Sequence, residues 1–115
     1  MITLPKELDA KDLYVDMPAC GRLRIRPSFL NGQVVQCKFE LGKAGGCLCA
    51  MLDAVTKLFS ANLQMGIPLH EMLDKFDGIS CQGAGWDDGV KYSSCVDAIA
   101  KKLRKYCEAE AMSNE

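Results

Sequence analysis

The chain has 115 residues, 49% hydrophobic and 25% charged, with a formal net charge of -1. That length and mixture describe one small domain with a modest core. The near-neutral balance lacks the basic footprint of a nucleic-acid binder, so no nucleic-acid partner is expected.

The N-terminal Met1-Ile2-Thr3-Leu4-Pro5-Lys6-Glu7 lacks the apolar core of an export signal, and no apolar run reads as long enough to span a bilayer. A cytoplasmic protein with no membrane partner is the expectation. Seven cysteines then stand out. An odd number without an export signal argues against a disulfide framework. Buried thiols, metal ligands and redox thiols are left. With one histidine in the chain, a metal site would be built largely from sulfur.

In chain order, residues 1–19 read as a loose arm in which Leu13-Tyr14-Val15 can form a short edge strand and Pro18 stops a helix. The domain proper is expected over residues 20–110, with 111–115 fraying. From Gly21, Leu23 and Ile25 alternate with Arg22, Arg24 and Arg26, a strand pattern. A second strand from Gln33 to Leu41 puts Val35, Cys37, Phe39 and Leu41 on one face.

Register selects the turn between them. A two-residue Asn31-Gly32 turn would set Ile25 opposite Lys38 and mix the faces. A three-residue loop, Leu30-Asn31-Gly32, sets Ile25 opposite Cys37 and Leu23 opposite Phe39, and is therefore preferred.

The glycine-rich stretch Gly42-Lys43-Ala44-Gly45-Gly46-Cys47 leads into a long helix. Its apolar stripe is Leu48, Met51, Leu52, Val55, Leu58, Phe59 and Leu63, broken by Asn62, and Gly66 is a natural stop. A shorter helix follows Pro68, with Met72, Leu73 and Phe76 inward. Residues 79–89 read as an irregular loop. A last helix opens at Cys95, runs to about Glu110, and turns Val96, Ile99, Leu103 and Tyr106 inward. Together these elements predict an α+β fold: a small antiparallel sheet of two or three strands, covered on one face by three helices.

The cysteines differ by position. Cys37 lies mid-strand on the apolar face, and Cys49 and Cys107 lie within helices; packing explains all three. Cys20, Cys47, Cys81 and Cys95 sit in loops or at helix starts, where sulfurs can converge near backbone amides. Spacing alone leaves a metal site and separate buried thiols both open. Ser94 reads as an N-cap with Asp97 three residues on, which puts Cys95 at the first helical position, where the helix dipole favours a thiolate.

Lys43, Gly45 and Gly46 invite an anion-cradle reading, in which a nucleotide or other anion meets a helix N-terminus. The full phosphate-loop pattern is absent, and the same glycines can simply serve positive φ angles. His70 and the basic run Lys101, Lys102, Arg104 and Lys105 read as solvated. Trp86 with Asp87 and Asp88 reads as a loop-pinning aromatic beside a turn, or else as a binding knob or metal-facing acids. No catalytic triad or carboxylate pair can be assembled, so no catalytic residue is assigned.

Gly42-Lys43-Ala44-Gly45-Gly46-Cys47, Gly78-Ile79-Ser80-Cys81, Trp86-Asp87 and Ser93-Ser94-Cys95-Val96-Asp97-Ala98-Ile99-Ala100 resemble the TSCPD domain. That domain closes adenosylcobalamin-dependent ribonucleotide reductases and also occurs as small four-cysteine proteins. The name motif departs at Ser93 and Val96. The resemblance implies Cys20, Cys47, Cys81 and Cys95 as a metal set, zinc first and an iron–sulfur cluster as the alternative. It also implies a ribonucleotide reductase subunit as partner and a role in deoxyribonucleotide supply, without the catalytic barrel. A further likeness is to iron–sulfur scaffold proteins, in architecture; Ser94 stands where the scaffold carries a histidine.

Overall fold

The structure is a computed structural model that describes residues 3–18, 20–42, 46–81 and 84–113, the last four by backbone only. The strands are β1 (Asp9–Ala10), β2 (Leu13–Met17), β3 (Gly21–Leu30), β4 (Gln33–Leu41), β5 (Gly85–Asp87) and β6 (Val90–Tyr92). The helices are α1 (Gly46–Gln64), α2 (Leu69–Phe76) and α3 (Cys95–Ser113). The class is α+β, as the sequence predicts.

The main sheet is larger than expected because the N-terminal stretch belongs to it. Both β1 and β2 pair antiparallel with β3 in one continuous register, Asp9 opposite Phe29 and Leu13 opposite Ile25. They are a single strand interrupted opposite Pro27. Lys11 donates its amide to the Pro27 carbonyl at 3.1 Å, but proline has no N–H to return the bond.

The β3–β4 turn corrects one expectation and explains another. Leu30 pairs with Gln33, so the turn is the two-residue Asn31-Gly32, with φ of 54° and 79°. Positive φ at both positions is what an Asn-Gly hairpin favours. The register then shifts between Ser28 and Phe29, where Val35 is the extra residue of a bulge. Beyond it Ile25 lies opposite Phe39 and Leu23 opposite Leu41. Turn chemistry and hydrophobic facing conflict by one residue, and the bulge absorbs the conflict. Arg24 thereby faces Glu40, with 2.6 Å between their charged atoms, rather than Lys38.

Helix α1 runs antiparallel to β4, the strand at the sheet's edge. Four helical residues advance about 6.0 Å and two strand residues about 6.6 Å, so the two keep step. Thr56 Oγ1 accepts the Phe39 amide at 3.1 Å, Ser60 Oγ accepts the Cys37 amide at 3.1 Å, and Gln64 donates to the Val35 carbonyl at 3.4 Å. Ser60 also donates to the Cys37 carbonyl at 3.0 Å. Polar helix side chains thus close an edge that would otherwise invite another strand. Ser60→Ala leaves a buried N–H and C=O without partners. It is expected to lower unfolding free energy by about 2 kcal/mol in urea melts.

By length and composition α1 could cross a membrane, contrary to the sequence expectation, yet Leu52, Phe59 and Leu63 bury it on the sheet. The predicted apolar stripe divides here: Leu48, Met51 and Leu58 face solvent. The helix ends as expected at Gly66, φ 96°, where the Gly66 amide meets the Leu63 carbonyl and the Ile67 amide meets the Asn62 carbonyl. The core gathers Val15, Leu23, Ile25, Phe39, Ile99 and Leu103, with Phe59 meeting Phe39 edge-to-face at 5.3 Å and Phe76 at a tilt at 5.6 Å.

Residues 85–92, within and beyond the predicted irregular loop, form a second hairpin instead. Asp88 and Gly89, with φ of 50° and 75°, make its turn. The hairpin is anchored by Gly85, where a Cβ would lie 2.6 Å from the Pro18 ring, and by Asp87, which accepts the Asp16 amide at 3.0 Å. Trp86 is exposed, contrary to the reading of it as a loop-pinning aromatic. Arg104 joins α3 to α2 through Asp74 and Asp77 at 2.9 and 2.8 Å, and Lys101 binds Asp97, so the basic face of α3 is partly committed to structure.

Candidate metal centre

The Ser93-Ser94-Cys95-Val96-Asp97 stretch organises one end of the molecule. Ser94 Oγ accepts the Asp97 amide at 3.1 Å, the N-cap expected from sequence, and donates to the Ile79 carbonyl. Asp97, 1% exposed, accepts the Ser93 amide at 2.9 Å and the Gly78 amide at 3.0 Å, and lies 2.9 Å from Lys101 Nζ. The reach to Gly78 was not legible in the sequence, because it joins two segments nineteen positions apart. Burial opposes the ionisation of Asp97, but the two amides and Lys101 outweigh it and hold the carboxyl below its ordinary range.

This latch fixes the segment carrying Cys81. The Cys81 amide donates to the Ser93 carbonyl at 2.9 Å, two residues before Cys95. Cys20 lies just before Gly21, which pairs with Met17 across the β2–β3 hairpin and takes φ 85°. Cys20 and Cys81 are close enough to Cys95 for each to disfavour its ionisation.

The sequence expectation of a ready thiolate at Cys95 is corrected by the structure. Burial, first, and then the neighbouring Cys20 and Cys81 raise its pKa, outweighing the hydrogen bonds of the Cys95 and Val96 amides. Cys37, read from sequence as a buried hydrophobe, is 2% exposed, and burial pushes its thiol far upward.

Cys47 is the exposed second residue of α1. Its helix starts near the same end of the sheet as Cys20: the Gly42 amide donates to the Arg22 carbonyl at 3.0 Å. Lys43 and Gly45 of the suggested anion cradle lie outside the described residues; Gly46 opens α1 with φ 57°. His70 is exposed on α2.

No disulfide forms among the described residues. Nor, among them, does any group of three His, Cys, Asp or Glu side chains adopt metal-holding geometry as the chain stands. Thiolate donors, where they converge, suit a soft, tetrahedral ion. A surface cleft of about 450 Å³ opens beside Cys20, between Pro18, Arg22, Trp86 and Asp87. Arg22 is paired there with Asp16 at 2.7 Å and stacks on Tyr14.

Comparison with curated proteins and with solved structures returned no match. The family model of the TSCPD domain matches residues 5–107, from ahead of β1 to within α3, and the chain belongs to that family.

Proposed function

We propose that this chain is a non-catalytic accessory module that holds zinc through Cys20, Cys47, Cys81 and Cys95. It would act in the cytoplasm beside a ribonucleotide reductase in deoxyribonucleotide supply. The observation that carries the metal reading is the gathering of Cys20 and Cys81 around the buried Cys95. A buried Cys95 whose ionisation is opposed by Cys20 and Cys81 acquires a counter-charge once a divalent cation is bound. Cys47 completes the set from the start of α1. The reductase link rests on what the family resemblance implies, as does the suggested anion or nucleotide ligand near Lys43, Gly45 and Gly46.

The chemistry such a zinc would supply is structural: through Cys20, Cys81 and Cys95 the β2–β3 hairpin, the segment before β5 and the start of α3 would be held as one unit. Metal analysis of protein purified without oxygen tests the reading. About one zinc per chain in a colourless solution is expected; iron with visible absorption would instead favour a cluster carrier. Retention of a reductase subunit on the immobilised protein tests the second half, and retention of none would remove the reductase link.

A further inference from the structure

Helix α1 turns a second apolar surface outward, opposite the one that binds the sheet. Met51, Leu58 and Met65 are 68%, 67% and 62% exposed, and the exposed Ala54 and Ala61 lie between them. Steps of three and four residues carry this row along one side of the helix, the repeat of a helix–helix seam. No charged residue interrupts it.

Large and small residues alternate along the row, and that alternation selects the occupant. A second α1 laid antiparallel about a two-fold axis at Thr56 sets Met51 over Ala61 and Leu58 over Ala54. Met65 then falls over Cys47, between Gly46 and Ala50, at the helix start. Every large side chain meets a small one, whereas a parallel pair would stack large on large.

Beside the seam, a groove of about 230 Å³ between α1 and α2 is lined by Val55, Asn62, Met72 and Phe76. The second copy's Leu48, 42% exposed in one chain, comes over its mouth. Helices of 19 residues, about 28 Å long, paired in this way bury on the order of 1,000–1,200 Å² in total, enough for a specific interface. We propose that α1 is a homodimerisation helix, packed antiparallel on α1 of a second copy.

Sedimentation equilibrium of the full chain at about 100 µM is expected to give twice the 12.6 kDa chain mass. Leu58→Asp is expected to return the chain mass and raise the dissociation constant at least about 100-fold, with the circular dichroism of the folded chain retained because Leu58 is 67% exposed in one chain. Orientation is read from a mixture of Ala54→Cys and Leu58→Cys proteins. Antiparallel pairing cross-links the two different variants, in separate tryptic peptides because Lys57 lies between the positions. A monomer at that concentration, a dimer indifferent to Leu58→Asp, or cross-links of each variant with itself alone would overturn the proposal. Binding of the monomer to neutral phosphatidylcholine vesicles through this face would overturn it in favour of a lipid surface.

Discussion

Replacing Asp97 by Asn is expected to lower unfolding free energy by about 3 kcal/mol, and Tm by on the order of 10 °C. The carboxylate is nearly inaccessible and serves the Gly78 amide, the Ser93 amide and Lys101 together. An amide in its place offers one oxygen acceptor to two N–H groups and turns an NH₂ toward a donor. The segment before β5 and the start of α3 then loosen together.

The same residue gives the protein an acid limit. Its folded pKa lies below the unfolded carboxylate value of about 3.9. Its stabilisation is therefore fully present above that unfolded value and is lost as pH falls through the depressed folded one. Denaturant melts between pH 6 and about pH 2.5 should show a steeper acid loss for the natural protein than for Asp97→Asn. Parallel curves would show that the latch contributes no proton-linked stability.

Cys95→Ser carries the other large effect. If the four cysteines share one ion, losing the most buried of them is expected to drop zinc from about one per chain to a small fraction. Tm would fall by more than 10 °C at the same time. Removing a merely packed thiol acts differently: Cys37→Ala opens a small core cavity costing about 1–2 kcal/mol and leaves metal content unchanged. A Cys95→Ser protein that keeps both its zinc and its melting temperature would take Cys95 out of the site.

The parts of this account that were legible in the sequence are local. Alternation marked the core faces of β3 and β4, Gly66 marked the end of α1, and Ser94 with Asp97 marked the start of α3. Each depends on residues a few positions apart. The contributions missed are those that depend on distant partners. Leu13-Tyr14-Val15 reads by itself as a short edge strand in a loose arm, and it becomes the longer strand Leu13–Met17 because β3 offers it an edge. The Asp88-Gly89 turn is a strong hairpin signal, obscured by strands of three residues each that draw support from Asp16 and Pro18.

The stripe of α1 shows a different limit. Periodicity identifies an apolar helix but does not say how much of its circumference the domain itself will bury. Thr56, Ser60 and Gln64 lie off the apolar stripe in the sequence; in the fold they are residues that meet the edge of β4. At the candidate metal centre, residue type and position separated four cysteines from three. The closeness of Cys20, Cys81 and Cys95 needed the fold, since it arises from a hairpin turn, a backbone bond to Ser93 and a helix start.

Zinc-edge X-ray absorption on the chain loaded with one equivalent of zinc tests the central claim most directly. Four sulfur neighbours at about 2.3 Å are expected. A first shell of oxygen or nitrogen at about 2.0–2.1 Å would contradict a site built from Cys20, Cys47, Cys81 and Cys95.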